Sequence, residues 1–364
     1  MKKYLNLLLL MLIAVVAAAC GNGEGSGTGS ESDSGDALAV TLLVETTGDL
    51  SFNDSAVEGI AAAQEEYGDQ VSTEVIEYGS DLSRMEGNFL DAADEGADVI
   101  IVPSQFVDLV ATYAPDYPDT QFWLFDTDFD YEAGDYENVY SIVYSANEAS
   151  YLGGYLAAST SESDVIGFLG GMDTNIIRDF YVGYAQGALE ANPDIEIVSS
   201  FVGAWDDSAR GKELGLSMYN QDASLVFNVA GGSGVGLIEA AVEQDRQVLG
   251  VDSDQAAMYE AQGQDDYAAV IPTSVLKNVG DSLNRAIGLH LEGNLSTGAT
   301  DYLGLVEEGV GLADNDYFKE AYDQELIDET LEKRQQIIDG EIEVQSAYDM
   351  SPEEIEEVEN SVRP

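Results

Sequence analysis

Several side chains with binding chemistry stand at the carboxyl ends of predicted β-strands or in the loops that follow them. They are Phe52, Asn53, Asp126, Trp205, Asp252 and Lys277. In an open parallel sheet, small molecules bind beyond the carboxyl ends of the strands, where such residues would lie. The pattern predicts a small-molecule site that uses aromatic, carboxylate and amino groups, although spacing alone does not show that they converge.

Each of these residues also has a purely structural interpretation. Phe52 could pack at the start of a helix that is capped by Asp54 or Ser55. Trp205 could belong to a core, and Asp126 could be a solvated turn carboxylate in so acidic a chain. These alternatives stay open at the level of single residues.

A glycine-rich run at residues 231–236 follows another predicted strand. It looks like a dinucleotide-binding turn, but Leu237 and Glu239 stand where the third glycine of G-x-G-x-x-G is required in either register. The run instead favours close approach of backbone to ligand near Gly232, at the start of a helix. No cofactor is therefore predicted.

Catalytic and metal-binding signatures are sparse in the sequence. His290 is the only histidine and Cys20 the only cysteine, and no G-x-S-x-G elbow or calcium-loop spacing occurs. We therefore expect neither an enzyme nor a metal site, and we expect His290 to be a helix-surface or core residue.

Alternating strands and helices from residue 41 onward predict two doubly wound parallel sheets of an α/β fold. The last predicted strand covers residues 268–271, and the chain is expected to change lobes near residues 144–147 and 272–274. The predicted divisions are a signal peptide at 1–20, a flexible acidic tether at 21–37, a first lobe at 38–144 plus 273–305, a second lobe at 145–272, and a returning segment with an acidic helical tail at 306–364.

The N-terminus has the pattern of a bacterial lipoprotein leader. Two lysines precede an apolar run, and small residues then lead to Cys20. This predicts lipidation of Cys20 and a location on the outer face of the cell membrane. A chance cysteine after an ordinary leader is the alternative.

Charge is the most extreme property of the composition. Lysine and arginine number 13 against 70 aspartates and glutamates, which gives a formal net charge of −57. Such a surface repels phosphates, so nucleic acid is excluded as a partner. The excess of carboxylates favours a halophilic or halotolerant source, where salt screens their repulsion.

A set of motifs in fixed order resembles the basic membrane lipoprotein (BMP/PnrA-like) family. The motifs are GDLSFNDSAVEGI, GADVIIVPS, WLFDTD, FLGGMD through RDFYVGYAQGA, VGAWDD, NVAGGSGVGLIEAA, GVDSDQ and TSVLKNVG. The similarity runs from about residue 41 to residue 311. The resemblance implies a type I periplasmic-binding-protein fold, with two lobes joined by a hinge. It also implies a purine-nucleoside-binding lipoprotein, a monomer, that serves the permease of an ABC transporter.

The resemblance also assigns roles to the candidate residues. Phe52 and Trp205 match the two aromatics that sandwich the nucleobase, and stacking contributes about 1–3 kcal/mol per base. Asn53 and Asp126 match positions that hydrogen-bond the base.

Asp252 and Lys277 match the ribose-binding pair. The first loop is shorter than usual in the family, and Thr46 stands where a carboxylate is often found. That departure leaves the base preference open. A sensing receptor of the same fold, or a nucleoside hydrolase, is the alternative function.

Overall fold

A computed structural model describes residues 37–364 of the chain apart from Ser80. The predicted leader, Cys20 and all of the tether except Ala37 lie outside the described residues. No helix of the described part is both long and apolar enough to cross a membrane.

Strands and helices alternate along the described chain. The strands are β1 (Leu38–Val44), β2 (Val71–Glu77), β3 (Val99–Pro103), β4 (Gln121–Phe125), β5 (Val139–Tyr144), β6 (Val165–Gly170), β7 (Glu196–Phe201), β8 (Leu225–Val229), β9 (Gln247–Asp252), β10 (Ser274–Lys277), β11 (Ala299–Leu303) and β12 (Val310–Leu312). The helices are α1 (Phe52–Tyr67), α2 (Met85–Asp94), α3 (Val107–Tyr113), α4 (Ala146–Thr160), α5 (Asn175–Ala191), α6 (Ser208–Tyr219), α7 (Gly234–Gln244), α8 (Gln255–Ala261), α9 (Asp265–Ala268), α10 (Val279–Leu291), α11 (Asp316–Ala321), α12 (Gln324–Ile338) and α13 (Pro352–Ser361).

Two six-stranded sheets define two lobes. The first lobe has the strand order β11-β5-β4-β3-β1-β2 and the second has β12-β10-β9-β8-β6-β7. Neighbouring strands are parallel except for the antiparallel pair β10 and β12. Every residue of β3, β5 and β8 is buried, as expected of central strands covered by helices on both faces. The predicted pair of doubly wound sheets is therefore confirmed.

The chain passes between the lobes at three places. It leaves the first lobe after β5, returns after β10, and crosses again between β11 and β12. The first crossing lies in the expected range of 144–147. The second follows Lys277, so the expected boundary between residues 272 and 273 is wrong and β10 belongs to the second lobe.

The strand predicted at residues 268–271 is also wrong. Ala268 ends α9, and Ile271 is buried in a turn before Pro272. A short apolar run cannot be assigned to strand or helix by periodicity alone, and Pro272 has no N–H to donate to a ladder. The strand that joins the sheet is β10, which pairs with β9 through Ser274 and its neighbours.

Helix α10 fixes the start of α1 within the first lobe. A Cβ at Gly59 of α1 would lie 2.3 Å from the Cα of Gly280 in α10, so the two helices touch backbone to backbone. The amide of Gly280 also donates to the hydroxyl of Ser55 (3.1 Å). Because α10 directly follows Lys277 and Asn278, this contact brings the end of β10 near the first turn of α1.

The C-terminal tail packs on the second lobe. Helix α12 contacts α4, and α13 contacts α5. The buried carboxylate of Asp179 accepts hydrogen bonds from the hydroxyl of Ser346 (2.7 Å) and the amides of Ala347 (2.9 Å) and Asn147 (3.1 Å). Burial nevertheless raises the pKa of Asp179 to about 6. The acidic tail is thus an integral layer of the second lobe.

Candidate functional site

A cavity of about 540 Å³ opens between the two lobes, at the carboxyl ends of both sheets. All seven residues predicted to bind ligand line it: Phe52, Asn53, Asp126, Trp205, Gly232, Asp252 and Lys277. The structure therefore brings these residues together, and their contacts with a ligand stay a prediction.

The carboxylate of Asp49 holds the loop before α1. Asp49 accepts hydrogen bonds from the backbone amides of Ser51 (3.1 Å), Asn53 (3.0 Å) and Asp54 (3.1 Å), and from the side-chain amide of Asn53 (2.9 Å). Burial is the main cause that raises the pKa of Asp49. Asp49 thus satisfies the free N–H groups at the start of α1, so capping by Asp54 or Ser55 is wrong.

A buried charge cluster lies at the lobe interface. The ammonium of Lys277 is 2.8 Å from a carboxylate oxygen of Asp126 and 3.9 Å from one of Asp252, and the three side chains are 3%, 8% and 9% exposed. The hydroxyl of Ser51 donates to Asp252 (2.5 Å). Burial raises the pKa of Asp252 to about 6, although Lys277 and Ser51 oppose this by favouring the charged form.

The two carboxylates of this cluster have an unusual backbone conformation. Asp126 and Asp252 have φ angles of 63° and 62°, in the left-handed region that few residues other than glycine adopt. Asp252 ends β9, and Asp126 directly follows β4. Such backbone strain persists where surrounding contacts hold it, and here it aims two carboxylates at one ammonium.

Aromatic rings surround the same ammonium. The Nζ of Lys277 lies 4.8 Å from the ring centre of Phe180, 5.1 Å from that of Phe52 and 6.0 Å from that of Tyr144. The negative face of an aromatic ring attracts a cation at these distances. Phe180 also lines the cavity but was not predicted, because an apolar residue on a helix has the same sequence pattern whether it faces a core or a cavity.

Trp205 lies on a floor of glycines in the second lobe. A Cβ at Gly171 would meet its indole ring at 2.3 Å, and a Cβ at Gly232 would lie 3.1 Å from its carbonyl oxygen. The buried hydroxyl of Ser233 donates to the carbonyl of Ala204 and accepts from the amide of Asp207, both at 2.9 Å. Gly232 therefore makes room for the tryptophan loop, and Ser233 fixes that loop from behind.

The rim of the cavity is acidic. Glu45 follows β1 in the first lobe and Asp206 follows Trp205 in the second. Burial, Asp206 and Asp49 together raise the pKa of Glu45. Tyr78, at the end of a predicted strand, also lines the cavity but is buried, and this burial raises the pKa of its hydroxyl. The position of Tyr78 at the end of a predicted strand was the signal that could have identified it as a cavity residue.

No cluster of three or more metal-ligating side chains occurs in the described part of the chain. His290 lies in α10, with its ring 5.6 Å from that of Trp123 in the first-lobe core. Its burial lowers its pKa. The expectation that His290 is a core or helix-surface residue is confirmed.

Comparisons with known proteins identify the family. Basic membrane protein A of Borreliella burgdorferi is 32% identical over 282 residues, which cover 76% of this chain and 79% of that protein. The ABC transporter nucleoside-binding protein BmpA of Lactococcus lactis is 29% identical over 324 residues, which cover 85% of this chain and 89% of that protein.

A solved structure confirms the expected fold. The crystal structure of an ABC transporter solute-binding protein from Aeropyrum pernix superposes with a TM-score of 0.76 at 26% identity, and covers 89% of this chain and 98% of that one. The fold is thus that of type I periplasmic binding proteins. The profile of the Bmp family, described as ABC transporter substrate-binding protein PnrA-like, matches residues 37–347. The chain belongs to this family of ABC transporter substrate-binding proteins.

Proposed function

We propose that the protein captures a purine nucleoside in the cavity between its lobes and delivers it to the permease of an ABC transporter. One observation carries the proposal: two aromatic side chains from opposite lobes, Phe52 and Trp205, line the same cavity as a buried ammonium–carboxylate cluster. The cavity size also suits a small ligand, since such pockets measure about 300–1,000 Å³.

The aromatic pair accounts for the flat part of the ligand. A nucleobase that enters between Phe52 and Trp205 stacks on both rings, and each base–aromatic contact contributes about 1–3 kcal/mol. Asn53 is then the proposed partner of the base edge. Its side-chain N–H group that binds Asp49 fixes the amide plane, which leaves its other groups available to the base.

The charge cluster accounts for the sugar. The carboxylate of Asp252 can accept hydrogen bonds from ribose hydroxyls, and the ammonium of Lys277 can donate to their oxygens. Because Asp126 and Asp252 share that ammonium, we propose that the three groups respond to a ligand as one unit. Asp126 keeps its proposed role at the base.

The proposed cellular setting is a monomer on the outer face of the membrane, anchored through a lipid on Cys20. The leader pattern in the sequence supports the anchor. The name of the Lactococcus lactis relative, an ABC transporter nucleoside-binding protein, supports both the ligand class and the transporter partner. Metabolic labelling with palmitate, compared between the native chain and Cys20→Ser, tests the anchor.

A calorimetric and thermal-shift series tests the ligand. Adenosine, guanosine, inosine, cytidine, uridine, ribose and free bases are added in turn at high salt. Purine nucleosides are expected to raise the melting temperature because they bind only the folded state. Absence of binding for every nucleoside would refute the ligand class, and release of free base and ribose would identify a nucleoside hydrolase instead.

A further inference from the structure

The loop before α1 contacts the second lobe outside the cavity. The carbonyl oxygen of Leu50 accepts a hydrogen bond from the side-chain amide of Gln255 at the start of α8 (3.0 Å). The side chain of Leu50 packs against an apolar cluster that belongs to the second lobe. Neither Leu50 nor Gln255 lines the cavity. The contact therefore joins the lobes without a direct part in ligand binding.

Leu50 holds a conformation that a leucine rarely adopts. Its φ angle is 49°, in the left-handed region that strains the backbone of an L-residue. The carboxylate of Asp54 holds this turn by accepting from the amides of Gly48 (2.7 Å) and Leu50 (2.8 Å). Glycine would adopt this backbone without strain. We therefore attribute the presence of leucine here to the apolar contact that its side chain makes with the second lobe.

Gln255 is oriented by its own lobe. It is 2% exposed, its side-chain oxygen accepts from the amide of Val251 (3.2 Å), and its backbone amide donates to the hydroxyl of Ser274 (3.2 Å). A Cβ at Gly250 would lie 3.0 Å from that side-chain oxygen, so the glycine leaves room for it. Contacts within the second lobe thus hold Gln255 with its side-chain N–H group directed toward the first lobe.

We propose that Leu50 and Gln255 form an interlobe latch that stabilises the closed arrangement of the lobes. The latch sets how often the cleft opens, and so acts on the affinity of a ligand that neither residue touches. The apparent dissociation constant of a ligand is its intrinsic value divided by the fraction of protein in the binding-competent state. Only this consequence for affinity rests on the proposed function, because the latch itself is a property of the lobes.

A spin-label distance measurement on the full chain tests the latch. Labels are attached at Gly87→Cys in α2 and Ala209→Cys in α6, in a Cys20→Ser background. Both sites lie in first turns that follow strand ends on opposite lobes, Ala209 is exposed, and a Cβ at Gly87 meets nothing within 4 Å. Leu50→Ala and Gln255→Leu are compared with Leu331→Ala, which removes the same side-chain atoms from a 55% exposed position in α12.

Without added nucleoside, both latch variants are expected to show a new population at longer distance, and Leu331→Ala to match the parent. Leu50→Gly removes the side chain but relieves the backbone strain, so it is expected to open the lobes without lowering the melting temperature. Distance distributions of all latch variants equal to that of Leu331→Ala would overturn the proposal.

The second readout is the dissociation rate of guanosine or adenosine by stopped flow. Leu50→Ala and Gln255→Leu are expected to release the nucleoside about five- to tenfold faster, since changes in affinity act mainly on dissociation. An unchanged dissociation rate in open-shifted variants would overturn the link to affinity. If the parent binds no nucleoside, the proposed function fails, and the distance measurement still decides the latch.

Discussion

The two walls of the cavity are built in different ways. In the first lobe, Phe52 stacks against Phe125 at 5.2 Å between ring centres, and the loop before it is tied by the carboxylates of Asp49 and Asp54. In the second lobe, Trp205 lies on bare glycine backbone, with Gly171 directly beneath its ring. Both rings pack against buried apolar residues, but Phe52 rests on another aromatic ring whereas Trp205 has glycine directly beneath it.

Substitutions in the two walls are expected to affect protein stability and ligand affinity to different degrees. Replacement of Phe52 also removes a contact with the buried ring of Phe125, whereas the ring of Trp205 rests on glycine backbone, so we expect the replacement of Phe52 to lower stability more. Lys277 is the exception, because it comes from the second sheet and pairs with Asp126 of the first.

The largest effect is expected from Lys277→Met. It keeps most of the side-chain length but leaves Asp126 and Asp252 unpaired in a buried site. Breaking a buried ion pair costs about 3–5 kcal/mol, and nucleoside affinity is expected to fall by about 100-fold or more. Chemical denaturation and calorimetry measure the two effects.

Lys319→Met is the matched control for that substitution. Lys319 pairs with Asp314 on the surface, where the two side chains are 56% and 71% exposed. Its loss is expected to leave stability and affinity nearly unchanged, since surface ion pairs contribute little. Similar losses in both variants would show that Lys277 acts only through overall charge.

Phe52→Ala and Trp205→Ala test whether the two walls contribute differently to affinity and to stability. Loss of either ring removes one stacking surface, so affinity is expected to fall about 10- to 100-fold in both variants. Phe52→Ala is also expected to lower the free energy of unfolding by about 2–3 kcal/mol, because it removes the contact with the fully buried ring of Phe125. Equal losses of stability in the two variants would contradict the contrast.

Gly171→Ala tests whether Trp205 needs the glycine beneath its ring, and it does so by adding a single methyl group. The added Cβ would lie 2.3 Å from the indole of Trp205, so the ring has to move. Affinity is expected to fall about five- to tenfold, because a stacking partner is displaced rather than lost. Gly87→Ala is the control, since its Cβ meets nothing within 4 Å. Retention of full affinity in Gly171→Ala would show that Trp205 does not need its observed position.

The sequence could predict the site residues that stand at strand ends, but not those whose role depends on packing between elements. Phe52, Asp126, Trp205 and Asp252 follow strand ends, and parallel strands place such residues at one edge. Phe180 lies inside a helix, and Gly171 acts through the shape of its neighbour. Their roles depend on packing between elements, which no local pattern encodes.

The lobe boundary shows the same limit. The apolar run before Pro272 and the run SVLK after it both suit a strand, and only the pairing of Ser274–Lys277 with β9 and β12 distinguishes them. The error of a few residues moved Lys277 to the wrong lobe. It therefore hid the fact that the Lys277–Asp126 pair bridges the cleft.

The smallest expected effect is a dependence of affinity on pH. Burial raises the pKa of Asp252 to about 6, against the opposing influence of Lys277 and Ser51 and with support from Asp126 and Asp49. Above that pH the carboxylate accepts hydrogen bonds from ribose hydroxyls, and below it the added proton removes this capacity. Nucleoside affinity measured by calorimetry is therefore expected to be about fourfold weaker at pH 5.5 than at pH 7.

Asp179 provides the control because burial raises its pKa to about 6 as well, although it binds the C-terminal tail and does not line the cavity. Asp179→Asn is expected to keep the dependence of affinity on pH, whereas Asp252→Asn is expected to bind weakly with no dependence on pH in this range. If the dependence disappears in Asp179→Asn instead, protonation acts on the packing of the tail near the first crossing between lobes. The charge cluster would then contribute the same attraction at every pH in this range, and the response to protons would belong to the second lobe's tail contact instead of the cavity.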